Sequence, residues 1–300
     1  MTVHSTETQP ILTLTGNLLA ERTLAFDRWF PGKTQRAVRE SFQVGGKGIN
    51  VIKMLARLGV PGTALCFTGG APGAECEDWL RTRGFAFRAF ASTSTTRSGT
   101  VVRDASGTYP ETTFLGPDVP PDPTAIQACA DFLDAQLPRR VLALCGSFPG
   151  WATSAFDRLR QSLDRWTEKG LLVVDTYGPA LADLTQRRIA LLKINADELR
   201  SLGLRGLEDL PEGVERVVIT DGSRSVQIRE ADGSIETLVP PVVREVSATG
   251  SGDVLLACVL EALFVRKLPL RDAVAFAMPY AAANAGDSGI AEFPLTGTHP

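Results

Sequence analysis

The segment "SATGSGD", residues 247–253, sets glycines at 250 and 252, small hydroxyl residues and one carboxylate directly ahead of the apolar run "VLLACVLEALFV". Glycine opens backbone conformations closed to other residues, so successive N–H groups can converge on one point. A helix starting there adds its unpaired N–H groups and the positive end of its dipole. Gly250, Ser251 and Gly252 are therefore a candidate anion hole for a phosphoryl group in transfer. A carboxylate is a poor anion binder, so Asp253 in that cradle points to another task. It suits a base that deprotonates a substrate hydroxyl beside the phosphoryl group. The plainer reading, a Ser/Thr/Asp cap on a buried helix, explains the same residue types.

A second glycine cluster, "GGKGIN" at 45–50, also opens a helical pattern. It is either a tight strand-to-helix turn or a polyol site. In the second reading Gly45 and Gly46 let a ligand approach the backbone, while Lys47 and Asn50 supply donors and an acceptor. It is not the G-x-G-x-x-G of a dinucleotide fold, and G-x-x-x-x-G-K-[ST] does not occur, which disfavours a nicotinamide-dependent oxidoreductase. The two histidines are His4 and His299, so triads and metal centres built on an internal histidine are nearly excluded. The five cysteines are scattered without a CxxC pair, which argues against a zinc site and fits a reduced, cytoplasmic protein. A formal charge of −3 offers no general attraction to nucleic acid or an anionic membrane. The first ten residues lack the basic and apolar regions of a secretory signal, and no apolar run approaches the length of a membrane span.

To position these groups the chain supplies short apolar runs alternating with amphipathic stretches. Strands are expected at 11–15, 63–69, 141–147, 171–176, 189–195 and 216–222, with helical patterns between them. This alternation implies an α/β fold with a mainly parallel central sheet covered by helices on both faces, its ligands beyond the carboxyl ends of the strands. Residues 22–44 and 96–115 break the alternation and read as a small β-lid on a single domain spanning 1–300; "GPDVPPDP" at 116–123 reads as the return from it.

The ordered set resembles the PfkB, or ribokinase-like, carbohydrate kinases, nearest the 1-phosphofructokinase and tagatose-6-phosphate kinase type. "GGKGIN" and "TGSGD" look like the family's two signatures, and "CGSFPG", "VVDTYGPAL", "LKINADEL" and "VVITDG" resemble elements between them. The resemblance implies an ATP-dependent, Mg²⁺-requiring kinase acting on a sugar or sugar phosphate, with Asp253 as base and Gly250, Ser251 and Gly252 as anion hole. Asn195 and Glu198 match its N-x-x-E element, which tunes the Mg²⁺–phosphate site through water; the same pair could form a capping box. Lys193, Asn195, Thr220, Gly222 and Asn284 fall at nucleotide positions, and Gly45, Gly46, Lys47 and Asn50 at substrate positions. Lys33 and Arg97 match cations that hold a resident phosphate in members acting on sugar phosphates.

Two departures bear on the acceptor. "TGNLLAE" carries Glu21 where the family's "TLNPALD" has a sugar-binding aspartate, and the family's "TNVK" segment is altered around 99–101, leaving Arg103 as the nearby cation. The alternatives are a ribokinase- or nucleoside-kinase-type enzyme and an inactive sugar- or nucleotide-binding homologue. Exposed lid strands suggest a homodimer through the lid.

Overall fold

A sheet covered on both faces needs strands that are apolar at consecutive positions. The computed structural model describes residues 9–295, and in it β1 (Ile11–Thr15) is buried at all five positions. His4 and His299 lie outside the described residues. β2 (Leu19–Phe26) and β3 (Arg39–Gly45) lead into α1 (Lys47–Arg57), followed by β4 (Gly62–Thr68), α2 (Gly70–Thr82) and β5 (Phe87–Ala91). Next come β6 (Arg97–Asp104), β7 (Thr112–Leu115), α3 (Pro123–Asp134), β8 (Val141–Gly146), α4 (Asp157–Lys169), β9 (Leu171–Thr176) and α5 (Pro179–Leu184). The chain continues through β10 (Leu191–Asn195), α6 (Ala196–Ser201), β11 (Val217–Thr220), β12 (Val226–Arg229) and β13 (Ile235–Leu238). It then enters α7 (Ser251–Leu260), which runs on as one π-helical turn over Glu261–Val265, and α8 (Leu270–Ala285).

The main sheet has nine strands in the order β13-β12-β11-β10-β9-β8-β1-β4-β5. It is parallel from β11 to β5, and β12 and β13 extend it antiparallel. All six expected strands are present; β5, β12 and β13 are additional. Side chains alternate between two cores: Ile11 joins α1, α2, α7 and α8 on one face, while Leu12 and Leu14 join α3, α4, α5 and α6 on the other.

A second sheet of four strands, ordered β3-β2-β6-β7, is formed by the two stretches that break the alternation. Its observed strands start at Leu19 and end at Leu115. Among the described residues no helix is long and apolar enough to cross a membrane.

Candidate active site

The chain order reverses across β1: β4 lies on one side and β8 on the other, with β9, β10 and β11 beyond. A crevice at such a reversal, outside the carboxyl ends of the strands, is the usual ligand position in an open α/β sheet. Gly146, Asp175, Asn195 and Thr220 all lie at those ends.

Gly250 caps α7 in the left-handed region, φ 78°. A Cβ there would sit 2.4 Å from Ile290 Cγ2, so the site requires glycine for both conformation and space. Ile290 is held because its neighbour Ala291 donates its N–H to Asn284 Oδ1 and accepts at its carbonyl from Arg57 Nη1, at 2.8 and 2.7 Å. Three residues into the helix, Asp253 is only 6% exposed. Asn50 Nδ2 donates to its Oδ2 at 2.7 Å. Asn50 reaches it because α1 turns out of β3 at Gly46, φ 126°, where a Cβ would lie 2.7 Å from Thr15 Cγ2. The two glycine motifs thus meet at one carboxylate.

Beside them Asp175, wholly buried, accepts from Lys47 Nζ at 2.7 Å and from Lys193 Nζ at 2.9 Å. The Lys193 ammonium also lies 2.7 Å from where a Gly252 Cβ would project, so it rests against the loop that forms the cradle. Burial acts to raise the Asp175 carboxyl, but the two ammonium groups outweigh it and hold it below the ordinary range. Burial likewise opposes the charge on Lys47, yet Asp175, Glu198 and Asp253 together hold its pKa above the usual value. For Asp253 burial dominates, and repulsion from Asp175 adds to it. The two lysines and the Asn50 bond pull the other way, leaving it pushed up to about 6.

Asn195 and Glu198 form a reciprocal capping box on α6: Asn195 Oδ1 accepts from the Glu198 N–H and Glu198 Oε2 from the Asn195 N–H, both at 2.8 Å. The cap does not consume the carboxylate, whose Oε1 lies 3.3 Å from Lys47 Nζ. Among the described residues no cluster of three or more acidic, histidine or cysteine side chains could cage a metal. One carboxylate and one amide oxygen suit a Mg²⁺ ion that keeps most of its waters and is shared with phosphates.

A cavity of about 510 Å³ opens on the other side of the cradle. Thr220, Gly222, Ser251 and Gly252 line it, and Val226, Leu255 and Met278 contribute apolar surface. Asn284, expected at its edge, does not line it: the side chain is fully buried and donates to the Thr249 carbonyl at 3.0 Å and to Ser251 Oγ at 3.1 Å. α8 turns Met278, Ala281, Ala282 and Ala285 to the cavity instead, because Asn284 braces the loop from beneath. The segment Pro240–Val243 also lines the cavity and was not anticipated; its signal in the sequence is "VPPVV", an apolar run with neither strand nor helix periodicity.

The opposite side of the rim carries Arg97, whose Nη1 donates to Asp118 Oδ1 at 2.8 Å. Asn17 Nδ2 donates to the same oxygen at 2.7 Å and to Ser147 Oγ at 3.0 Å. Asn17, Asp118 and Ser147 went unnoticed in the sequence, although Asn17 shares a segment with Glu21. Glu21 stands directly opposite Gln43 and accepts its Nε2. Gly45 ends β3 against Leu19, at the rim end of the small sheet.

Lys33 is not brought to this site within one chain. The β2–β3 pairing runs from Leu19–Gly45 at the rim to Ala25–Arg39, and Lys33 lies in the loop beyond, exposed beside Phe30. Six steps of about 3.3 Å put that loop roughly 20 Å from Gly45. Arg103 is likewise engaged elsewhere, pairing with Glu111 at 2.7 Å and donating to the Ser288 carbonyl.

Comparison with known proteins agrees with this geometry. Residues 15–296 match the family described as pfkB family carbohydrate kinase. The chain is 30% identical to a 1-phosphofructokinase of Haloferax volcanii over 279 residues, covering 89% of this chain and 88% of that one. It is 27% identical to a D-tagatose-1-phosphate kinase of Bacillus licheniformis, covering 91% and 90%. Phosphofructokinase-2 from Escherichia coli in complex with fructose-6-phosphate has the same fold, with a TM-score of 0.81 at 23% identity over 92% of this chain and 93% of that one. With the two glycine motifs meeting at Asp253 and the match running nearly end to end, the chain belongs to the pfkB family of carbohydrate kinases.

Proposed function

We propose that the chain transfers the terminal phosphoryl group of ATP to a hydroxyl of a sugar phosphate of the fructose or tagatose phosphate type, with Asp253 as general base. The observation that carries this reading is the Asn50–Asp253 hydrogen bond at 2.7 Å, which joins the GGKGIN helix to the carboxylate at the mouth of the TGSGD cradle. Asn50 Oδ1 is buried without a partner and is available to accept from a substrate hydroxyl. The names of the relatives support the phosphorylated acceptor, as does the buried, unpartnered Nε of Arg97, a donor suited to a resident phosphate. Lys33 would have to come from a moved loop or a second copy to join Arg97.

In this reading ATP occupies the 510 Å³ cavity, its base against Val226, Leu255 and Met278 and its phosphates towards Thr220, Gly222, Ser251 and Gly252. Lys193, held by Asp175, lies beside Gly252 to meet negative charge at the cradle. Bound Mg²⁺ neutralises phosphate charge; Glu198 and Asn195 would hold it through water. Asp253 takes the acceptor hydroxyl proton as the oxygen attacks the terminal phosphorus. The bond from that phosphorus to the bridging oxygen breaks and ADP leaves, while the helix N-terminus and cradle amides receive the migrating charge. Catalysis is mainly positioning and electrostatics, with the small sheet acting as a lid that excludes water.

The small sheet also ends in an exposed edge, β7, with Phe114 and Leu115 both more than half exposed, which favours a homodimer through the lid. The functional reading is tested by an ADP-release screen over fructose 1-phosphate, fructose 6-phosphate, tagatose 6-phosphate, fructose, ribose and nucleosides, repeated with Arg97→Ala. Turnover with a sugar phosphate that Arg97→Ala selectively weakens is expected. Absence of ADP release with every acceptor would leave a binding protein on a kinase scaffold, and best turnover with ribose or a nucleoside would replace the acceptor class.

A further inference from the structure

Lys53, on the buried face of α1, is only 6% exposed, and no step of the proposed transfer uses it. A buried ammonium needs partners. Lys53 Nζ has two: Gln43 Oε1 at 3.3 Å and, more loosely, Glu292 Oε1 at 3.6 Å, the latter on a side chain more than half exposed.

The Gln43 contact fixes a direction. An ammonium only donates and an ionised carboxylate only accepts, so an amide between them has one productive orientation. Its Oε1 faces Lys53 and its Nε2 faces Glu21 Oε1. Gln43 and Glu21 are directly opposed in the β2–β3 ladder, so the contact needs no reach beyond the cross-strand distance. The second oxygen, Glu21 Oε2, lies 3.4 Å from the position of a Gly45 Cβ, over the first residue of the GGKGIN segment. Lys53 also sits one helical turn, three residues, beyond Asn50 on α1, which bonds the catalytic carboxylate. The same helix thus anchors both Asp253 and, through Gln43, Glu21.

We propose that Gln43 and Lys53 are positioning residues that lock Glu21 with its Oε2 turned to the rim as a fixed acceptor for a hydroxyl of the acceptor sugar. This rests on the sugar-phosphate reading of the site. Glutamate has three rotatable side-chain bonds and loses entropy when a ligand immobilises it. Prepaying that cost in the free protein strengthens ligand binding without changing the chemistry of transfer. The residues act on acceptor affinity, and neither of them touches Asp253 or the Gly250–Gly252 cradle.

The test measures Kd by calorimetry for fructose 1-phosphate and fructose 6-phosphate, and kcat and both KM values in turnover, on the full chain. Lys53→Met and Gln43→Leu are each expected to raise Kd and KM for the better-bound sugar phosphate about tenfold, with kcat and the ATP KM within about twofold. Lys53→Arg, which keeps a donor, stays near wild type. The decisive arm is the double variant Glu21→Gln/Lys53→Met, expected to bind no worse than Glu21→Gln alone, because the relay acts only through Glu21. A thermal melt separates misfolding from the effect, and Gln43→Leu, outside the helix core, carries the test if Lys53→Met is unstable. Unchanged sugar Kd in Gln43→Leu, or losses that multiply in the double variant, would overturn the relay. Weakened sugar binding in these variants without turnover in the wild type would overturn the kinase reading and leave the relay standing.

Discussion

Asn50 Nδ2 and Asp253 Oδ2 are 2.7 Å apart across 203 positions of chain. The bond points the amide donor at one carboxylate oxygen and leaves the other oxygen to take a proton.

Asp253→Asn preserves the shape of that contact and removes the base. Turnover should fall by about 10²–10⁴-fold, the usual worth of a positioned general base. The calorimetric Kd for ATP should stay within about twofold of wild type, and an unaltered kcat would remove Asp253 from the chemistry.

The proposed base role requires ionised Asp253, and burial with Asp175 nearby pushes its pKa up to about 6. Activity should therefore hold on a plateau above neutrality and fall as pH drops through about 6. A pH profile of kcat/KM that stays flat from 8 to 5 would contradict this assignment.

Asp175→Asn tests the source of that shift. Removing its negative charge relieves repulsion on Asp253, so the acid limb should move to lower pH. The change also leaves Lys47 and Lys193 short of a buried partner, and breaking such a pair costs about 3–5 kcal/mol. Urea unfolding and the pH profile read the two effects separately.

Two alanine substitutions in the cradle should behave differently. At Gly250 an added methyl meets the left-handed backbone and Ile290 at 2.4 Å, so Gly250→Ala should lower the melting temperature as well as turnover. At Gly252 it meets only the tip of Lys193, at 2.7 Å, which gives way by loosening its buried bond to Asp175. Gly252→Ala, which keeps an ordinary backbone conformation, should lower the melting temperature less than Gly250→Ala and lose kcat.

Asp122 caps α3, accepting from the Thr124 and Ala125 N–H groups. Its bonds from the Thr93 and Ala125 N–H groups, with the Thr93 and Ser92 hydroxyls, lower its carboxyl to about 2. Its stabilising effect is complete above the unfolded value of about 3.9 and disappears as pH falls through about 2. Asp122→Ala should cost about 1 kcal/mol at pH 7, the worth of a cap, and the gap to wild type in urea melts should narrow at pH 3.

Local patterns explain what was legible beforehand. The glycine motifs, the six apolar strands and the Asn195/Glu198 spacing are short-range features, and each has its counterpart in the fold. The role of Asp175 was not legible, because it depends on β9 lying beside β10. With Leu192 opposite Val174, the same register carries Lys193 next to Asp175. Lys33 illustrates the converse limit: sequence spacing says nothing about which end of a hairpin faces the rim. Asn284, expected at the nucleotide, turns away from the cavity, since burial of its amide depends on a loop 35 positions away.

The packing of Ile290 against Gly250, with Ala291 and Phe293 tied to Arg57, has a consequence for how the enzyme comes into being. Translation produces the sheet, the acceptor rim and Asp253 well before the residues that brace the phosphate loop. A ribosome-bound chain that has reached α8 carries both glycine motifs and Asp253 and still lacks the prop that sets Gly250, so the cradle is completed late in synthesis.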